Sequence, residues 1–258
     1  MDFGGVRLTT DGSIATVTLA NPDKRNALSL EMLRALSAAL VAVPDEAGVV
    51  ILDAEGPVFS AGHDMGEMID RPDEFFADLF NSCTDTTNTI HRIPQPVIAK
   101  VHGPATAAGC QLVASCDLAV ASDEAWFATP GVKIGLFCTT PMVPVSRAVG
   151  QKRAMQMLLT GEPISAQTAV EWGLINEAVP TDRLDEATVT LANKILRYST
   201  DTIAIGKEAF YAQLGLTSAG AYEVASPIMA GNAASVDAQE GMTAFLEKRD
   251  PQWTGRSG

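Results

Sequence analysis

The sequence predicts an α/β fold with a strand-rich core followed by a helical C-terminal region. Three observations carry this. Short apolar or alternating runs give way repeatedly to segments of helical period over the first half of the chain. Nearly every segment after Pro141 has helical period. The chain has 258 residues, 47% of them hydrophobic, enough to bury the core of one large domain. No low-complexity tract, exact internal repeat or long linker interrupts it. The simplest division is a core over residues 1–198 and a helical region over residues 199–258.

Taken in order, "VRLTTDGSIATVTLAN" alternates on both sides of Asp11-Gly12 and predicts a β-hairpin. Ser29 is placed to cap a helix carrying Leu33, Leu36, Leu40 and Val43, with Pro44 just past its end. "GVVILDAEG" predicts a buried strand. "RPDEFFADLFNSCTDTTNTIHRI" predicts a second helix, stopped near Pro94 and Pro96, and "PVIAKVHG" another buried strand. "LAVASDEAWFA" predicts a continuation of the β layer. Beyond Pro141, "MVPVSRAVG", "QKRAMQMLLTG", "SAQTAVEWG", "RLDEATVTLANKILRYS" and a run ending in "TAFLEKRD" predict helices.

The formal net charge of −13, with only 18 Lys and Arg, argues against broad contact with nucleic acid or an anionic membrane face. An anionic ligand has to be held by a few local cations and backbone N–H groups. Four cysteines and three histidines show no zinc spacing, so no metal site is expected and the thiols are expected to be reduced. The N-terminus lacks a basic flank followed by an apolar run. No apolar stretch approaches the roughly 20 residues that span a bilayer. A soluble, cytoplasmic protein is the expectation.

The chain has no GxxxxGK[ST], strand-linked GxGxxG, GxSxG or HExxH motif, which removes the commonest nucleotide, hydrolase and zinc-protease readings. Two small-residue turns remain where a strand gives way to a helix: "FSAGHDM" at 59–65 and "PATAAGCQL" at 104–112. The first N–H groups of a helix lack intrahelical acceptors and sit at the positive end of its dipole. Small residues let a substrate approach that backbone. Two such donors on one oxygen form an oxyanion hole, each worth about 3 kcal/mol of transition-state stabilisation.

These turns belong to a set of five blocks: "NPDKRNALS", "FSAGHDM", "PATAAGCQLVASCDLAVASDEAWFATPGVKIG", "TGEPISAQTAVEWGLINEAV" and "EGMTAFLEKRDPQW". In that order they resemble the crotonase, or enoyl-CoA hydratase/isomerase, family over almost the whole chain, and in particular a branch lacking both hydratase glutamates. The resemblance implies a spiral of ββα repeats over residues 1–198 and trimerisation helices over 199–258, assembled as trimers or dimers of trimers. It implies a CoA thioester as substrate or ligand, with no further cofactor. The thioester carbonyl would sit between the backbone N–H groups of His63 and Ala108, and an enolate would be the intermediate. It places adenine and phosphates near Lys24, Arg25 and Ala27 and along Ser60, Ala61, Gly62, His63, Asp64 and Met65. A neighbouring subunit would add Phe245 and Lys248.

Hydratases of this family use one glutamate three residues after the second donor and another after the proline of "FGxPE". Here those positions are Gln111 and Gly131. Cys138 and the His63 side chain are the candidate replacements for proton transfer; the alternative for Cys138 is a small core residue, and for His63 a ring that covers the adenine or faces solvent. Gln111 is a candidate for orienting a water or a carbonyl, or for a helix-end hydrogen bond. Asp64 and Glu67 are expected to stabilise the start of the following helix, and Glu124 to be solvated. His91 and His102 are expected to be structural. Met68, Phe75, Phe76 and Phe80 would line an acyl pocket or belong to the core. Three functions follow: a thioester-processing lyase nominally of the enoyl-CoA hydratase class, a base-independent acyl-CoA decarboxylase, or a non-catalytic acyl-CoA-binding protein.

Overall fold

The computed structural model describes residues 1–254, and its first element is the expected hairpin. Strand β1 (Val6–Asp11) pairs antiparallel with β2 (Ile14–Leu19), from Val6 opposite Leu19 to Asp11 opposite Ile14. The reversal therefore falls on Gly12-Ser13, with Gly12 at φ +55°, and Asp11 is the last paired residue. Helix α1 (Leu30–Val41) begins where Ser29 Oγ accepts from the Met32 N–H at 3.1 Å, and Leu33, Leu36 and Leu40 are buried along it.

Next come β3 (Val49–Ala54), α2 (Asp73–Arg92), β4 (Val97–Val101), β5 (Ala105–Thr106), α3 (Ala108–Ser115), β6 (Leu118–Ser122) and β7 (Trp126–Ala128). Helices α4 (Met142–Val149) and α5 (Gln151–Thr160) precede β8 (Ile164–Ser165), α6 (Ala166–Trp172) and β9 (Glu177–Val179). The chain continues with α7 (Leu184–Ile195), α8 (Thr200–Gln213), α9 (Ser218–Ala233) and α10 (Val236–Glu247).

Strands β1, β2, β3, β4, β6 and β9 form one sheet in that order, parallel from β2 onward, and β5, β7 and β8 form a small second sheet. Two expectations are corrected. "LAVASDEAWFA" divides between the sheets, β6 in the first and β7 in the second, because the turn at 123–125 redirects the chain. The segment after Pro141 contributes β8 and β9, which at two and three residues are too short to produce a periodic signal. The inner strands of the large sheet are covered on both faces, as parallel strands require. Val50, Leu52, Ala99 and Ala121 face the main core with α1 and α3, while Val49, Ile98 and Val120 pack against Leu184 and Ala192 of α7. Among the described residues no helix is long and apolar enough to cross a membrane.

Candidate active site

Two turns meet at the C-terminal side of the sheet. Thr106 N–H donates to the Ser60 carbonyl at 2.9 Å, and Ser60 N–H to that of Pro104 at 3.3 Å. The close approach of the two turns needs a glycine on each. Gly62 has φ +89°, and a Cβ there would stand 2.9 Å from Ala107 Cβ and 3.3 Å from Ala108 N. A Cβ on Gly109 would overlap the Ser60 carbonyl oxygen and stand 2.8 Å from Ser60 Cβ. Ala107 is held at φ +49°, ψ −115°, a conformation costing an L-residue on the order of 1–3 kcal/mol. Its N–H donates to the Ala128 carbonyl and its own carbonyl accepts from Gln111 N–H. That bend starts α3 at Ala108, whose N–H therefore has no intrahelical acceptor. Among the described residues, neither the Ala108 nor the His63 backbone N–H has a protein acceptor.

The "NPDKRNALS" segment fixes the first turn from below. Arg25 and Asn26 lie consecutively in the left-handed region, at φ +53° and +50°. Asn26 is fully buried; its Nδ2 donates to the Glu55 and Val58 carbonyls, each at 2.8 Å, and its Oδ1 accepts from Asn21 N–H. Ser60 Oγ donates to the Asn26 carbonyl, Ala61 N–H to that of Arg25, and Leu28 N–H to that of Gly62 at 2.7 Å. Sequence reasoning missed Asn26. The available signal was the tolerance of Asn for positive φ inside a polar turn. Ala27 is half-buried in this turn, whereas Lys24 and Arg25 are exposed. Lys24 Nζ lies 3.1 Å from Asp64 Oδ2, a hydrogen bond that holds the Asp64 carboxyl below the usual range. Asp64 Oδ1 caps the short turn Met65–Met68 through Gly66 N–H. Glu67 does not serve its own segment: its carboxylate accepts from Leu30 N–H at 3.1 Å and caps α1.

The turns open into a cavity of about 370 Å³. Ala61, His63, Met65, Met68, Phe80, Ala107 and Ala108 form one wall, and the segment from Pro130 to Pro141, including Gly131 and Cys138, forms the other. Phe75 and Phe76 do not line it; they pack edge-on against each other. The lining residues include no Asp or Glu, and its titratable groups are His63, Lys133 and Cys138. Lys133 Nζ is paired with Glu162 Oε1 at 2.9 Å. Burial pushes the Cys138 thiol up, only partly opposed by the Gly131 backbone. His63 Nδ1 lies 3.1 Å from the Leu28 carbonyl oxygen and Phe80 packs edge-on against its ring. A carbonyl can only accept, so Nδ1 carries the proton and Nε2 a lone pair. Nε2 is buried without a partner. Burial pushes this imidazole below its ordinary 6.5, against smaller opposing contributions from the Leu28 bond and Glu67.

The two expected glutamate positions are closed in different ways. Gln111 is 2% exposed, is not among the residues lining the cavity, and donates from Nε2 to Thr87 Oγ1 of α2 at 3.2 Å. It therefore bridges α3 to α2, and neither faces the cavity nor bonds its own helix end through its side chain. At Gly131 a Cβ would stand 2.6 Å from the Leu136 carbonyl oxygen and 2.9 Å from Cys138 Sγ, so the space of a side chain is filled. Phe245 and Lys248, on and just after α10, line no part of this cavity within one chain; Phe245 borders a separate apolar groove with Ile203, Met242 and Trp253. His91 stacks on Tyr211, with Nε2 3.0 Å from the Ser115 carbonyl oxygen, and His102 is also outside the cavity.

A sequence profile of the Enoyl-CoA hydratase/isomerase family matches residues 9–256. The chain is 49% identical over 244 residues to the Mus musculus enoyl-CoA hydratase domain-containing protein 3, mitochondrial, covering 93% of this chain and 81% of the relative. A crystal structure of human enoyl-CoA hydratase domain-containing protein 3 superposes with a TM-score of 0.94 at 47% identity, covering 97% of this chain and all of that one. An enoyl-CoA hydratase from Mycobacterium smegmatis gives 0.94 at 45%, with 97% and 99% covered. The mouse, human and rat relatives are named as mitochondrial proteins, which overturns the expectation of a cytoplasmic protein. Composition and net charge carry no compartment signal, so residue content alone could not separate the two. The fold is the crotonase spiral, and the chain belongs to the enoyl-CoA hydratase/isomerase family.

Proposed function

We propose that this protein binds an acyl-CoA thioester and stabilises its enolate between the backbone N–H groups of His63 and Ala108, without the paired glutamates of a hydratase. The observation that carries this reading is the pair of unpartnered donors on two turns locked together through Gly62, Gly109 and the strained Ala107. Donors fixed in advance favour the charge that develops on the thioester oxygen, at about 3 kcal/mol each. The apolar wall of Met68, Phe80 and Phe137 suits an acyl chain, and exposed Lys24 and Arg25 suit the CoA phosphates. Self-association as a trimer or dimer of trimers, with a neighbour's Phe245 and Lys248 at the ligand, is supported by the 82% exposure of Phe245 and 79% of Leu246.

Titration calorimetry tests the reading. Hexanoyl-CoA should bind more tightly than free CoA, because only the thioester carries the carbonyl and acyl chain that the hole and the apolar wall would hold. Crotonyl-CoA should keep its conjugated-thioester absorbance, because no carboxylate is present to activate water. Equal affinity for CoA and thioester would reject the proposal.

A second reading, decarboxylation of a malonyl-type CoA, is favoured by the lack of Asp and Glu among the lining residues, since an apolar site destabilises a substrate carboxylate and loss of CO₂ generates the enolate directly. Mass spectrometry of malonyl-CoA and methylmalonyl-CoA after incubation decides it: unchanged substrates exclude it. Thioester binding with no turnover in either assay would leave an acyl-CoA-binding protein.

A further inference from the structure

We propose that His63 Nε2 is the base that moves the α-proton of the bound thioester, in place of the family's glutamates. The proposal rests on the acyl-CoA reading above. Three titratable side chains line the cavity, and two are unsuited to accept a proton. Lys133 is an ammonium paired with Glu162, and Cys138 is a thiol kept protonated by burial. The His63 ring is different. Its Nδ1–H is tied to the Leu28 carbonyl, as the orienting group of a catalytic histidine ties its ring, and Nε2 is left as a lone pair with no protein partner. His102 Nε2 is also buried without a partner, but His102 is not among the cavity's lining residues, so His63 alone joins an unpartnered ring nitrogen to the cavity. The same residue supplies the backbone N–H of the oxyanion hole, so base and hole are fixed in one turn by Leu28, which bonds both the Gly62 carbonyl and the His63 ring.

The step balances without a co-reactant. The Cα–H bond breaks, the proton forms an N–H bond at Nε2, and the electron pair moves into the thioester to give the enolate. With a 3-enoyl thioester the same proton returns to Cγ, and the product is the conjugated 2-enoyl thioester. One base suffices for this transfer, whereas hydration needs an acid and a base together.

The test uses the full chain with 3-hexenoyl-CoA, following the rise in conjugated-thioester absorbance, and with hexanoyl-CoA in D₂O, following deuterium at Cα by mass spectrometry. Wild type should catalyse at least the first. His63→Gln, which keeps the backbone donor, should lose about 10²–10⁴-fold in rate while still binding hexanoyl-CoA. His63→Ala should regain part of the rate on adding imidazole, which a purely structural role would not permit. Turnover by His63→Gln at the wild-type rate overturns the proposal. Binding of hexanoyl-CoA by wild type with neither isomerisation nor exchange overturns the base and leaves the thioester reading in place. No thioester binding by wild type overturns both.

Discussion

Lys207 Nζ lies 2.7 Å from Asp117 Oδ2 in the interior, and this ion pair joins α8 to the ends of two core strands. Lys207 also donates to the Ile90 and Gln95 carbonyls, at 2.7 and 2.8 Å, which uses all three of its protons. Asp117 accepts from Val97 N–H at the start of β4 and from Tyr211 Oη. Lys207→Met should leave this carboxylate buried without its cation and destabilise the fold by about 3–5 kcal/mol, measured by urea unfolding. A loss below 1 kcal/mol would show that α8 is held by other contacts.

Gly131→Glu should not create a hydratase. Its Cβ alone would have to displace the Leu136 carbonyl and Cys138 Sγ, and over-packing of this kind costs about 1–3 kcal/mol. The expected result is a lower melting temperature with crotonyl-CoA absorbance unchanged. Efficient hydration by this variant would contradict the packing described for the 131–138 segment.

Gly109→Ala should separate the two turns. Its methyl group would meet the Ser60 carbonyl, which accepts from Thr106 N–H and cannot move without breaking that bond. Thioester turnover should fall together with thermal stability, because Gly109 lies between the core residues Ala108 and Cys110 and the same displacement moves the Ala108 N–H away from the 60–63 turn. Equal turnover in the variant and wild type would detach the turns from catalysis.

The pH dependence should carry the signature of His63. Burial, outweighing the Leu28 bond and the nearby Glu67, places its folded pKa below 6.5; Lys133, Cys138 and Phe80 border the same cavity. The base form is then already dominant at neutral pH, so activity should rise along an acid limb lying below 6.5 and stay flat above it. His63→Gln should abolish that limb. The stability sign is the same: the unfolded chain takes up the proton first, so stability falls as pH drops from about 6.5 through the folded value. A limb centred above 6.5 would reject the burial argument.

Much of the fold was legible because its signals are local. Ser29 as a cap, the alternation of β1 and β2, and the leucines of α1 each report their own segment. The strands β8 and β9 were not legible, since their pairing is decided by distant partners, β7 and β6. The site divides similarly. The small residues of "SAG" and "TAAG" mark turns, but the buried Asn26 that ties 55–60 to the preceding turn is visible only when the chain is folded.

By itself the sequence determined the family, the two small-residue turns and the loss of both glutamates, because these are matters of residue identity and order. Only the tertiary structure decided how those two positions are filled. It turned Gln111 toward Thr87, filled the space at Gly131 with a carbonyl and a thiol, and left His63 Nε2 buried without a partner. The reason is physical: a side chain's identity sets what chemistry it can perform, while burial and the partners supplied by remote segments set which atom remains free to perform it.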